Sequence, residues 1–464
     1  MRWFGLFGLA MGCGAMERAQ DAPPETGGDA PTWPEGVWNR RLPEAAALAP
    51  VRGLVPRRAV FHLHSPFSHD ACDNAGWVDG VLDTACRDDL RAGLCALRFD
   101  AAFLTDHPDY GDRQPFEALF HPAPGDALVR DGDRLLRSEI TCEDGHTLRW
   151  MAGFEDVLMP VGLHGHVDAD PDVRHGILNA GDRAAQDAMR AAGGRVLAAH
   201  VEGRSPEDLR QLQDDGLHGL EVFNLHAMFA PNLRPLLGLD ALGWAADVGP
   251  FIAQEPGLEP DLFVLAVLGE QRVTVERIDA LLQRGNLMLT GGTDVHQNVL
   301  GSDLADGERG DSYRRMLRWF STMLLAADTT PEALDAAVAA KRSYVAFEIL
   351  GTPEGVDLHH EAPDGTITEM GADSSATEGV IVVGCPTLAD GSPRGAEAPE
   401  IEVRVLRDGL PWRTGCGRFD AEPGVYRVEA WSTPNHLAPF LGADPSRWIR
   451  PYPWVYTSAV RVGR

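Results

Sequence analysis

Side chains that bind metals or move protons return again and again at the ends of short apolar runs in this chain. The first stretch is Phe61-His62-Leu63-His64-Ser65-Pro66-Phe67-Ser68-His69-Asp70. Side chains alternate between the faces of a strand, so His62 and His64 point the same way and can share one cation. Asp70 follows a loop bent at Pro66 and can supply an oxygen ligand, while His69 reads as a rim residue. A His-x-His pair alone specifies nothing. It gains weight because His107, His200, and the pair Asp294 and His296 each follow another short apolar run. Imidazoles combined with carboxylates suit zinc, manganese or iron. There are more such ligands than one tetrahedral ion takes, so the pattern points to a multinuclear centre. Arg204, four residues past His200, either reaches a substrate anion or pairs with Glu207 or Asp208. Glu221 and Asn224, at another strand end, either touch substrate or buttress ligands. No phosphate-binding glycine loop, dinucleotide fingerprint or nucleophile elbow stands in a convincing context.

Such residues need strand ends to hold them. Apolar runs at 58–62, 101–105, 135–141, 195–199, 219–223 and 287–290 read as strands. Helical spacing covers 78–91, 182–192, 206–214, 278–284, 311–327 and 331–340. Gly193-Gly194 and Gly285 supply helix stops. Strand and helix alternating in this way predict an α/β domain with parallel strands over 53–350. In such folds the carboxyl ends of the strands open onto one rim, where the polar candidates fall. Residues 351–378 are rich in turn formers and read as a linker. Period-two runs at 379–383, 400–406, 424–431 and 454–462 then predict a small all-β, sandwich-like module over 379–464.

The formal net charge of −28 over 464 residues excludes a general nucleic-acid binder, which needs a basic face. Arginine supplies nearly all the positive charge, and Lys341 is the single lysine. Residues 1–13 place Arg2 before a short apolar run that ends in small residues and Cys13. This is the pattern of an export signal, with lipid attached at Cys13 after cleavage or, alternatively, an ordinary secretory signal. The expected location is therefore outside the cytoplasm, either anchored to a bacterial membrane or secreted. Residues 14–52, rich in Pro, Gly and acidic side chains, read as a flexible tether. Six cysteines remain beyond Cys13, an even number that permits disulfides in an exported chain. Cys385 with Cys416, and Cys86 with Cys95, are possible pairs.

Taken in order, His62-Leu63-His64-Ser65 with Asp70, Thr105-Asp106-His107, Glu139-Ile140-Thr141 with Gly145-His146, Ala199-His200, Glu221-Val222-Phe223-Asn224 and Gly292-Thr293-Asp294-Val295-His296 form a series. It resembles the motifs of the polymerase and histidinol phosphatase (PHP) superfamily of metal-dependent phosphoesterases. The phrasing around Glu139 and Glu221 is closest to the exported branch that includes carbaryl-hydrolase-like enzymes. The resemblance spans roughly residues 57–347 and implies a distorted seven-stranded (β/α) barrel with two or three divalent ions. It implies that His62, His64, Glu139 and Asp294 hold one metal and that Glu139 bridges to a second held by His146 and His200. Asp70, His107 and His296 would hold a third; Asp70 stands where some members carry His. Asp106 would orient a histidine. His164 and His166 are a rival pair to His146, read as loop or rim residues. The implied reaction is hydrolysis of a small-molecule phosphoester by a metal-activated hydroxide. The alternatives are hydrolysis of a carbamate, amide or ester, and a surface binding protein without catalysis.

Overall fold

The computed structural model describes residues 36–464. Cys13, the expected signal and the first part of the expected tether lie outside the described residues. The fold is mixed α/β. Its sheet begins with β1 (Val55–Val60), β2 (Ala101–Phe103), β3 (Arg134–Thr141), β4 (Thr147–Gly153) and β5 (Met159–Leu163). It continues through β6 (Arg195–Ala198), β7 (Gly219–Asn224), β8 (Met288–Gly292), β9 (Ser321–Ala326) and β10 (Ser343–Ala346). Parallel pairing joins β1 to β2, β2 to β4, β6 to β7 and β7 to β8. Antiparallel β5 sits between β4 and β6. Just beyond the strand ends, a parallel bridge between Leu63 and Val295 brings the chain after β8 against the chain after β1. The carboxyl ends of β1, β2, β4, β6, β7 and β8 thus face a common rim.

Local chemistry sets the helices that cover these strands. Asp83 caps the helix Thr84–Ala96 by accepting from the Ala85 and Cys86 amides. Ser205 and Thr330 cap Pro206–Asp214 and Pro331–Ala339, each followed by a proline that needs no amide partner. The expected helix over 78–91 starts late, because Trp77–Val78 and Val81–Leu82 form a small hairpin first. The expected helix over 311–327 is instead a short helix, Tyr313–Leu317, followed by β9. Every residue of β9 is buried between antiparallel neighbours β1 and β10. A strand covered on both faces loses its polar alternation and reads as a continuous apolar run. β5 and β10, buried along their whole length, escaped the sequence reading for the same reason, whereas β4 was missed although Leu148, Trp150 and Ala152 alternate with Thr147 and Arg149. In the core, Arg58 makes two hydrogen bonds of 2.9 and 2.7 Å to Glu348, which also accepts from Ser321 and Thr352. Both members of this ion pair are fully buried, and it ties β1 to the turn after β10.

Three expectations about domain organisation change. Residues 36–52 do not all belong to a free tether: Leu42, Ala45 and Leu48 are buried against the body. Residues 351–378 are not a linker, since they contain the strands Leu358–Glu361, Ile367–Glu369 and Asp373–Ser374, and Leu358, His360 and Met370 are buried. The C-terminal strands are not a detached sandwich. Tyr452–Thr457 pairs antiparallel with β10, so one sheet runs through both regions. Cys385 pairs with Cys416 as read, but Cys86 pairs with Cys72 and Cys95 with Cys142. Cys86 and Cys95 both sit in the helix Thr84–Ala96, which holds them apart on its axis. Among the described residues no helix is long and apolar enough to cross a membrane.

Candidate metal centre

At the rim, three donor atoms meet. His62 Nε2 lies 3.1 Å from His64 Nε2, and both lie 3.3 Å from Asp294 Oδ1. Ligands around a tetrahedral zinc at about 2.0–2.1 Å stand about 3.3–3.4 Å from one another, so this triangle has the size of one face of such a site. Two further groups adjoin it. His64, Asp70, His107 and His296 converge on one side, with Asp70 Oδ2 3.3 Å from His296 Nε2 and 3.6 Å from His107 Nε2. On the other side His62 converges with Glu155 and His200, whose Nε2 lies 3.5 Å from Glu155 Oε1.

The imidazoles are held in one tautomer. His62 Nδ1 donates to Glu221 Oε1 at 2.6 Å, His296 Nδ1 to the Asp294 carbonyl at 2.7 Å, and His107 Nδ1 to the Glu155 carbonyl at 2.9 Å. These oxygens can only accept, so Nδ1 carries the proton and Nε2 turns toward the centre. His64 Nδ1 meets Ser68 Oγ at 2.7 Å and presents Nε2 in the same way. A donor fixed from behind by an oxygen is how metal-binding histidines are oriented. Glu221 does more than hold His62: its other oxygen accepts from the His200 amide at 3.1 Å and from Asn224 Nδ2 at 2.9 Å. Asp106 accepts from the Ser65 amide at 2.5 Å and Ser65 Oγ at 2.6 Å, fixing the loop after His64. Glu221 therefore holds His62 and His200 directly, Asn224 acts through Glu221, and Asp106, expected to orient a histidine, instead bonds Ser65 in the loop after His64.

The electrostatics favour positive charge at the middle. Burial resists ionisation of Asp70, Glu155 and Asp294, yet surrounding histidines hold all three carboxylates ionised. Glu155 is held down at about 2, against its burial, by the His107 hydrogen bond and the charges of His62 and His200. Burial likewise opposes protonation of His107, but Asp70 and Glu155 raise it to about 12. Burial and the charge of His296 push His64 down to about 3. Asp70 Oδ1, Asp294 Oδ2 and His296 Nε2 are buried and make no hydrogen bond among the described residues. Orphaned polar atoms of this kind are costly unless something charged satisfies them. The donor set thus fits divalent cations. His200 and Asp294 also sit at φ 51° and 50°, in the left-handed region that non-glycine residues avoid. Strain of this kind gathers at functional positions.

Two expected ligands stand elsewhere. Glu139 lies on β3, which runs antiparallel to β4 and pairs Glu139 with Arg149. It is therefore six residues, roughly 20 Å of strand, from Glu155. Its carboxylate takes an Arg137 hydrogen bond at 2.8 Å instead. His146, in the β3–β4 turn at the same far end, hydrogen-bonds the Phe99 carbonyl at 2.8 Å. Arg204 does not line the cavity; its guanidinium bonds the carbonyls of Ala199 and Val157. His164 and His166 also stay outside the cavity lining. His69 does reach the rim, with Nδ1 2.5 Å from Asp109 Oδ2.

The sequence reading missed Glu155 and His226. Glu155 follows the end of β4 and provides the carboxylate sought at Glu139. The signal was the same strand-end rule, hidden because β4 was not recognised as a strand. His226 lines the cavity with Nδ1 3.4 Å from Asp294 Oδ2. It begins a short helix two residues after β7, where an apolar run to Asn224 already marked a strand end.

No protein-family model and no curated protein matches the chain. Two solved structures show a likeness. One is a two-domain protein from Bacteroides vulgatus ATCC 8482 containing a predicted PHP-like metal-dependent phosphoesterase. It is 13% identical, with 89% of this chain and 99% of that chain covered and a TM-score of 0.35. The other is PsfC from Pseudomonas syringae PB-5123, 14% identical, with 58% and 82% covered and a TM-score of 0.31. At these scores neither likeness bears on function, which rests on the side chains.

Proposed function

We propose that this protein is an exported, multinuclear metal-dependent hydrolase of PHP type that cleaves a phosphoester. The observation that carries the reading is the triangle of His62, His64 and Asp294 flanked by two further ligand groups. In this reading the parallel strands form the distorted (β/α) barrel of that superfamily. Three disulfides support an oxidising compartment, and lipid attachment at Cys13 belongs to the same proposal.

His62, His64 and Asp294 would hold one cation, Asp70, His107 and His296 a second, and Glu155 with His200 a third, each histidine giving its one free ring nitrogen to a single ion. When bound, divalent ions supply a Lewis acid and bring water's pKa toward neutrality. The chain's own part is to keep the ligands aimed: Glu221 fixes His62, Ser68 fixes His64, and the Asp294 and Glu155 carbonyls fix His296 and His107. His226 stands exposed on the open side of Asp294, placed to meet a substrate or a further ligand. A second reading, attack on a carbamate or ester carbonyl, is favoured by one observation: among the described residues no arginine or lysine lines the cavity to cradle phosphate.

Metal analysis after incubation with zinc or manganese, together with assays on aryl phosphate, phosphodiester, carbamate and ester substrates, tests these readings. We expect two or more equivalents of metal and phosphoester turnover that His64→Ala abolishes. Fewer than about two equivalents would sink the multinuclear centre. Full activity in the His64 variant would sink its role.

A further inference from the structure

The cavity over the centre has a volume of about 380 Å³, and among the described residues only histidines and carboxylates line it. Sites for anionic groups ordinarily recruit arginine or lysine. Here Arg204, four residues past His200, is committed to two backbone carbonyls. The lining carboxylates fall into two sets. Asp70, Glu155 and Asp294 belong to the ligand groups and would be neutralised by bound cations. Asp109 and Asp156 do not: both are exposed on the rim. Asp109 faces only the neighbouring His69, and Asp156 has no ion-pair partner among the described residues. With two or three divalent ions in place, the floor of the cavity is positive and its mouth is negative.

We infer that Asp109 and Asp156 are specificity-determining residues that select substrates whose departing group is cationic or neutral and reject those whose departing group is a second anion. The inference rests on the phosphoester reading. The reacting phosphoryl group goes to the floor, where the cations lie, and the alcohol half projects past the two rim carboxylates. A like charge about 7 Å from a rim carboxylate in a partly wet cavity changes binding roughly tenfold. An opposite charge gains by a similar factor. The overall charge of −28 acts in the same direction at longer range.

Three esters matched in size separate the charges: phosphoethanolamine, 2-hydroxyethyl phosphate and 2-phosphoglycolate. The test is kcat/KM for each with the metal-loaded full chain at low ionic strength. The expected order is ethanolamine, then hydroxyethyl, then glycolate, with at least about a tenfold span that narrows as salt screens the rim. In the Asp109→Asn, Asp156→Asn double variant the ethanolamine-to-glycolate ratio should fall at least about fivefold, and Asp156→Lys should lower it further. Glycolate turnover equal to or above ethanolamine turnover in the unaltered protein overturns the inference. So does a ratio unmoved in the metal-loaded variants. If protein carrying about two or more equivalents of metal turns over none of the three, nor an aryl phosphate or a phosphodiester, the phosphoester reading itself falls, and this inference with it.

Discussion

The carboxylate at the heart of the proposed centre is Glu155, not Glu139, and single substitutions separate the two. Glu155→Gln should lower the metal bound at equilibrium and cut turnover sharply, because His200 loses its nearest carboxylate partner in the centre. Glu139→Gln breaks only a contact with Arg137 at the far end of β3 and should leave metal content unchanged. Plasma emission spectroscopy of the two variants checks this, and equal loss in both would refute it. Glu221 touches no metal in this arrangement yet holds His62 Nδ1. Glu221→Gln should weaken metal binding by about 10–100-fold, the usual effect of removing the group behind a histidine ligand. Titration with a competing chelator reads that shift, and unchanged affinity would mean that packing alone orients His62.

At the scale of elements, the carboxyl end of β8 depends on a glycine for space and not for backbone freedom. A Cβ on Gly292 would come within 2.2 Å of Glu221 Oε1. Gly292→Ala should therefore displace Glu221, release His62 and copy the metal-binding defect of Glu221→Gln while the chain stays folded. Circular dichroism alongside the metal titration distinguishes this from unfolding. The Arg58–Glu348 pair makes the opposite case, one of stability alone. Glu348→Ala leaves a buried guanidinium without its partner and should destabilise by roughly 3–5 kcal/mol, measured by denaturant unfolding. A loss below about 1 kcal/mol would mean that water reaches Arg58.

Over the whole molecule, burial makes the fold sensitive to acid. His121 and His436 are buried, and burial pushes them down to about 3 and about 4. Unfolded, each titrates near 6.5. Between those values only the unfolded chain takes up the protons, so stability is full above about pH 6.5 and falls as pH drops toward 4. His436 alone accounts for roughly 3 kcal/mol of that loss. Melting curves of chelator-treated protein at pH 7 and 4.5 should show the fall, and His436→Phe should shrink it; an equal fall in both proteins would exclude His436. The continuous sheet also makes the two regions interdependent. Ending the chain at Leu350 uncovers the edge of β10 and removes buried Trp454. Such an exposed apolar edge invites aggregation.

The sequence by itself determined the local chemistry. Alternation put His62 and His64 on one face, caps and prolines set the helix starts, and strand ends marked His107, His200, Asp294 and His296. These signals act over a few residues, so they survive without a third dimension. Tertiary structure decided the rest. Strand direction cannot be read from a single run, and β3 turned out to point away from the rim, which carried Glu139 and His146 to the far end and left the position to Glu155. Strands buried on both faces lose their alternation, so β9 and β10 were invisible until their neighbours covered them. The fate of Arg204 and the choice of Cys72 and Cys142 as disulfide partners depend on which distant segments pack together. The charge of the cavity mouth belongs here too, because Asp109 and Asp156 come from separate strand ends and meet only across the finished rim.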